Sequence, residues 1–174
     1  MLRPMDPLEY GDAGAISLRA VRPDDKQRIV KAFKGLERDS IYLRFFTHRK
    51  ELEDEELRRV TECDGASHAV LVATTGSGEH EAIVGMGSYV RSGAAAEIAF
   101  AVEEDFQRRG IASRLLQQLA DIARAHGIER FEAEVLAENT PMLNVFRRSS
   151  LPMRTKHEHG VVRVTLLLQG TGKE

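Results

Sequence analysis

Apolar positions along this chain repeat with two periods, two and about 3.6 residues, and the changes between them mark its elements. Residues 16–21 alternate as a strand; Arg22-Pro23-Asp24-Asp25 stops it and caps a helix to about residue 36. Residues 40–46, Ser-Ile-Tyr-Leu-Arg-Phe-Phe, read as a short apolar-aromatic helix, and 54–61 as another helical piece. Strands follow at 68–74, 82–91 and 95–102, joined by Gly76-Ser77-Gly78 and Ser92-Gly93 as a meander of hairpins. A helix over 109–126 places Ile111, Leu115, Leu119 and Ile122 on one face. A strand at 131–136 turns Phe131, Ala133 and Val135 inward. Thr140-Pro141 opens a helix to about residue 149 as cap and first-turn proline. Strands near 153–157 and 161–168 close the chain around Glu158-His159-Gly160.

The order is strand, helices, three strands, helix, strand, helix, two strands, which is a mixed α/β architecture. The 174 residues suit one domain. Residues 1–15, rich in Pro, Gly and Asp, are expected to be a flexible lead-in, and 16–170 the single domain. A chain of this length buries about 70% of its unfolded surface and needs no staples. Its one cysteine, Cys63, rules out an internal disulfide; its place in Thr-Glu-Cys-Asp, among carboxylates, argues against a nucleophile. A net charge of −2 gives no bulk attraction to nucleic acid or membrane. No stretch approaches the ~20 apolar residues of a membrane span, and the start lacks a signal pattern. The expected location is the cytoplasm.

The segment with most chemical content is Gln107-Arg108-Arg109-Gly110-Ile111-Ala112, between an apolar strand and an amphipathic helix. The first N–H groups of a helix lack internal partners, and the helix dipole adds positive charge there. Gly110 and Ala112 allow close approach to the main chain, and Arg108, Arg109 and Arg114 carry the sign that suits a phosphate. The alternative is an ordinary helix start. P-loop and dinucleotide patterns are absent from the chain.

This segment resembles the pyrophosphate loop of the GNAT acetyltransferase superfamily, Gln/Arg-x-x-Gly-x-Gly/Ala. The resemblance extends over nearly the whole chain after residue 15. It implies an acyltransferase fold of about seven mostly antiparallel strands with flanking helices. The strands ending at Val102 and beginning at Phe131 would splay apart. It further implies acetyl-CoA as co-substrate, no metal, and a pantetheine arm paired with main-chain groups of Phe100, Ala101 and Val102. Gln107, Arg108, Arg109, Gly110, Ile111, Ala112 and Ser113 would hold the pyrophosphate, and the main-chain N–H near Val102 the oxyanion. Asn139 would touch the cofactor arm; the other reading is that it closes a turn.

Transfer of acetyl to an amine needs a neutral nucleophile, and a free lysine, pKa about 10.4, is almost wholly charged at pH 7. Glu97 is the only carboxylate within its strand, and flanking Ala95, Ala96 and Ala99 suggest partial desolvation and a raised pKa, as suits a general base. The plainer reading is a strand glutamate facing solvent. Ala96-Glu97-Ile98 resembles the strand of protein-lysine acetyltransferases whose glutamate deprotonates the lysine. Together with Ala133-Glu134-Val135-Leu136, Glu138-Asn139, Pro141-Met142-Leu143, Val145-Phe146-Arg147, Gly160-Val161-Val162 and the aromatic segment at 40–46, it resembles bacterial protein acetyltransferases that modify metabolic enzymes, notably acetyl-CoA synthetases. The implied partner is therefore a protein bearing a lysine, with no nucleic acid and no membrane. Alternatives are a small-amine acetyltransferase and a silent acyl-CoA-binding module.

Two positions depart from the wider pattern. Phe146 stands where many relatives carry a tyrosine that protonates the leaving sulfur, which leaves Tyr42 and Tyr89 as unplaced candidates. Ser150-Leu151 replaces a Gly-Phe, implying a different helix C-cap. Acidic residues crowd the region: Glu103, Glu104, Asp105, Glu132, Glu134 and Glu138 would draw in a cationic segment or simply form a solvated rim. His157 and His159 lack a third ligand nearby and read as hairpin residues. Arg147, Arg148, Arg154 and Lys156 form a basic cluster that would reach the CoA nucleotide phosphate or nothing. Such relatives often carry a cyclic-nucleotide-binding or CoA-ligase-like domain; this length has no room for either, so a stand-alone enzyme or an excised piece is expected.

Overall fold

The structure, a computed structural model, describes residues 8–9, 15–35 and 54–169. The helix read at 40–46, with Tyr42, lies outside the described residues, as does most of the 1–15 lead-in. The strands are β1 (Leu8–Glu9), β2 (Ala15–Ala20), β3 (His68–Thr75), β4 (Ala82–Ser92), β5 (Ala95–Val102), β6 (Arg130–Leu136), β7 (Met153–Glu158) and β8 (Val161–Leu167). The helices are α1 (Lys26–Gly35), α2 (Asp54–Thr61), α3 (Ile111–Ala125) and α4 (Thr140–Arg147). All form one sheet in the order β1-β2-β3-β4-β5-β6-β8-β7. Neighbours are antiparallel except β5 and β6, which run parallel. The predicted seven strands are present, and the two-residue β1 is an addition: part of the expected lead-in pairs, Leu8 with Ile16 and Glu9 with Ala15.

Alternation sorts the sheet into two faces. On one, Leu71, Ala73, Ile98, Phe100, Phe131, Ala133 and Val164 bury against Ile111, Leu115 and Leu119 of α3 and Met142, Leu143 and Phe146 of α4. This face explains why α3 carries apolar residues at helical spacing. On the other, Val72 and Ile83 bury against Ile29 of α1 and Leu57 of α2. The β5–β6–β8 part of that second face carries Glu97, Glu132, Leu136 and Arg163, all exposed.

Gly87 adjusts the first face. A Cβ there would come within 2.9 Å of the Phe100 ring, so only glycine lets Phe100 lie against β4. Phe100 in turn meets Phe146 edge-on at 6.3 Å between centroids.

The helix predicted after residue 22 opens as a short 3₁₀ turn, Pro23–Asp25, before α1. Asp25, with no exposed surface, accepts the Arg22 N–H at 2.8 Å, a bidentate pair from Arg19 at 2.7 and 2.8 Å, and Arg28 at 3.2 Å. Arg19 also reaches Glu81 at 2.9 Å. Burial pushes the Asp25 carboxyl up, but Arg19, the Arg22 N–H and Arg28 outweigh it and hold it below the usual range. The network staples β2, α1 and the start of β4 together. At the exit of α4, Ser150 takes φ +60, so the left-handed turn survives without a glycine. Ser149 supports it: its Oγ donates to the Phe146 carbonyl at 2.6 Å and accepts the Leu151 N–H at 3.3 Å.

Candidate functional site

The site begins where β5 and β6 part. Their ladder consists of Ala95↔Arg130, Ala96↔Phe131 and Glu97↔Glu132. β5 continues to Val102 and β6 to Leu136, so beyond Glu97 and Glu132 the strands open into a wedge, as the splayed pair was expected to do. On its other side β5 stays paired with β4 as far as Gly85↔Val102. The Glu103 N–H donates to the Val84 carbonyl at 2.8 Å, which makes Gly85↔Val102 a non-hydrogen-bonded pair and, by alternation, Gly87↔Phe100 another. The main-chain groups of Phe100 and Val102 therefore point away from β4 and into the wedge. Ala101 does not follow: as a hydrogen-bonded position it turns its main chain to β4, which corrects its expected place in a cofactor ladder. Gln107 Nε2 donates to the Val102 carbonyl at 3.1 Å, leaving the Val102 N–H and both Phe100 groups on the wedge edge.

Beyond the wedge lies a cleft of about 620 Å³ between the β5–α3 loop and α4. Val102, Gln107, Arg108, Gly110, Ile111, Ala112 and Ser113 line it on one side; Thr140, Pro141, Met142, Asn144, Val145 and Arg148 line it on the other. Gly110 is the N-cap of α3 at φ +78, a conformation only glycine takes without cost. Arg108 adopts φ +65. This alternation of left-handed residues bends the loop back onto the helix and turns its first N–H groups toward the cleft. Arg109 departs from expectation: it does not line the cleft, and its guanidinium lies over the Phe106 ring at 5.2 Å.

Asn139 is the N-cap of α4, its Oδ1 accepting the Met142 N–H at 3.4 Å, so it closes the turn that opens this helix. The first turn of α4 forms the second wall, which no local pattern in the sequence signals. Two helix N-termini thus border one cleft and give it positive character. Thr140-Pro141 marked the helix start; that it faces the loop is set by tertiary packing alone. Arg148 belongs to this wall, whereas Arg154 and Lys156 stand on β7 opposite Thr165 and Arg163 of the second sheet face. The predicted basic cluster is therefore divided between two faces.

Glu97 is exposed, not half-buried as its alanine neighbours suggested, because its register places it on the second face. Burial acts instead on Glu103, whose carboxyl it pushes up, with Asp105 adding to the rise. Among the described residues Glu97 has no ion-pair or hydrogen-bond partner, whereas Glu132 is held by Arg130 at 3.1 Å and Glu134 by Arg163 at 3.2 Å.

Among the described residues, neither Tyr89 nor Cys63 serves this site. Tyr89 is fully buried; its hydroxyl donates to the Ala66 carbonyl at 2.8 Å, and burial pushes its pKa up to about 12. Phe146 lies in the core. Burial first, and Asp64 in a smaller way, push the Cys63 thiol up, which disfavours the thiolate a nucleophile would need. No group of three or more His, Cys, Asp or Glu side chains suited to a metal occurs among the described residues. No helix among them is long and apolar enough to cross a membrane.

Comparison with known proteins agrees with this geometry. The sequence profile of the Acetyltransferase (GNAT) family matches residues 37–150. Acetyltransferase Pat of Mycolicibacterium smegmatis is 34% identical over 134 residues, covering 75% of this chain and 39% of that protein, so the chain spans about two-fifths of that relative's length. The GNAT domain of S. lividans PAT superposes with a TM-score of 0.79 at 32% identity, covering 93% of this chain and 96% of the other. The cAMP-binding acyltransferase from Mycobacterium smegmatis gives a TM-score of 0.64 at 30% identity, covering 97% of this chain and 48% of the other. Wedge, loop and matches together place this chain in the GNAT acetyltransferase family.

Proposed function

We propose that this chain is an acetyl-CoA-dependent protein lysine N-acetyltransferase, acting on metabolic proteins such as acetyl-CoA synthetase, with Glu97 as general base. The observation that carries the reading is the position of Glu97: an exposed carboxylate with no counter-ion among the described residues, at the apex of the wedge, on the sheet face opposite the cleft. Acetyl-CoA brings an activated acetyl group. The cleft suits its phosphates, through the α3 and α4 N-termini and Arg148, and the wedge edge suits its amide arm, through Phe100 and Val102. An acyl group that threads the wedge from the α3 side meets an amine arriving from the Glu97 side. Glu97 accepts the ammonium proton, directly or through a water, and the neutral amine attacks. The Val102 N–H is free to donate to the developing oxyanion. The thiolate leaves toward the positive end of α3, and Tyr89, the tyrosine among the described residues, does not donate to it.

A protein acceptor is favoured over a metabolite because the face around Glu97 is lined by exposed side chains, Glu132, Leu136 and Arg163 among them. The similarity to acetyltransferase Pat supports the same choice. The test is to incubate the protein with acetyl-CoA and a bacterial lysate and to map acetyl-lysine by mass spectrometry. A small set of enzyme-dependent sites is expected; their absence would point to small amines instead.

A further inference from the structure

The open sheet face carries charge in an order that the reaction does not require. Directly paired residues of a sheet share a face. Glu97↔Glu132, Glu132↔Thr165 and Thr165↔Arg154 therefore make one row across β5, β6, β8 and β7. Glu134↔Arg163 and Arg163↔Lys156 make the row beside it. The middle of the face is neutralised, Glu132 by Arg130 at 3.1 Å and Glu134 by Arg163 at 3.2 Å. Its ends are not. Among the described residues Glu97, Arg154 and Lys156 have no ion-pair partner, and all three are exposed. The result is a bipolar surface: a free carboxylate at the wedge apex and, on the β7 edge, two free cations that outnumber the one carboxylate of their strand on this face, Glu158, two residues beyond Lys156. They are separated by three strand spacings, about 14 Å.

We propose that Arg154 and Lys156 form a docking site for carboxylate side chains of the acceptor protein, set about 14 Å from the lysine presented to Glu97. This rests on the lysine-acceptor reading above and adds a specificity rule to it. An extended segment advances about 3.3 Å per residue, so the matching acidic side chains lie about four residues from the target lysine, or at the equivalent distance on a folded surface. A uniformly basic segment would be repelled at β7 and a uniformly acidic one at Glu97, so the face selects a mixed partner. Arg154 and Lys156 are not alternative CoA phosphate ligands, because they stand on the face away from the cleft.

The test uses synthetic peptides with one lysine each, carrying two aspartates four and five residues away, or two asparagines at the same positions, in both chain directions. Wild type is expected to favour the better aspartate peptide by about fivefold in kcat/KM, mainly through KM, with the preference fading as salt rises. Arg154→Gln with Lys156→Gln, exposed and outside the cleft, should bring the two peptides within about twofold and leave the KM for acetyl-CoA unchanged. Equal use of aspartate and asparagine peptides by wild type, or a preference that survives in the double variant, would overturn the docking proposal alone. Acetylation of no peptide above the enzyme-free background would overturn the lysine-acceptor reading, and this inference with it.

Discussion

Glu97 and Glu132 stand side by side at the last paired position of the parallel strands β5 and β6, and only Glu132 has a cation, Arg130 at 3.1 Å. One residue further on, the sheet opens. The same point thus ends a ladder, begins the wedge and presents a carboxylate with no counter-charge among the described residues. On the proposed reading, a base at this apex would stand where an amine from one face meets an acyl group from the other.

Gly110 holds the loop at a φ of +78 as the N-cap of α3. Gly110→Ala adds a Cβ to a left-handed position, costing about 1 kcal/mol of stability. It also moves the first N–H groups of the helix. The KM for acetyl-CoA should rise about tenfold, with kcat at saturation changed far less. Thermal melts and initial rates separate the two effects.

Asp25 gathers Arg19, Arg28 and the Arg22 N–H while fully buried. Asp25→Asn should destabilise by about 3 kcal/mol, the low end for breaking a buried pair, because Arg19 keeps Glu81. The folded carboxyl lies below its unfolded value, so its stabilisation is complete above about pH 4 and is lost as pH falls through the lowered folded value. Urea melts at neutral pH should show the full gap between wild type and variant, and melts in stronger acid a narrowing one.

Tyr89 donates its hydroxyl to the Ala66 carbonyl from a fully buried position. Tyr89→Phe should cost about 1–2 kcal/mol, the price of an unsatisfied carbonyl. It should leave kcat within about twofold, because general acid catalysis would be worth 10²–10⁴-fold and this tyrosine does not supply it. A drop in kcat of that larger size would make Tyr89 a proton donor after all.

Much of this was legible in the sequence, for local reasons. The apolar period of α3, the Gln107–Ala112 loop after an apolar strand, and the Thr140-Pro141 helix start each carry their own signal within a few residues. What was hidden depends on register. Alanine neighbours suggested a half-buried Glu97, but the pleat alternates faces, and Glu97 falls on the open one. Ala101 sits between Phe100 and Val102 in the chain yet faces β4 rather than the wedge, for the same reason. Arg154 and Lys156 are near Arg148 in sequence and on another face in space. Arg109 lies within the loop motif, but Phe106 three residues earlier offers its guanidinium a ring. Motifs specify which segment forms the site; pairing decides which of its atoms face it.

On the proposed mechanism Glu97 removes the proton from the acceptor amine. The most direct measurement is kcat/KM toward a lysine acceptor for wild type and Glu97→Gln, with the acetyl-CoA Kd of each determined in parallel. Loss of 10²–10⁴-fold in kcat/KM, with the Kd unchanged within about twofold, is the predicted result for removal of a general base. A decrease smaller than about threefold would contradict it, since no base of that weight could then reside at Glu97.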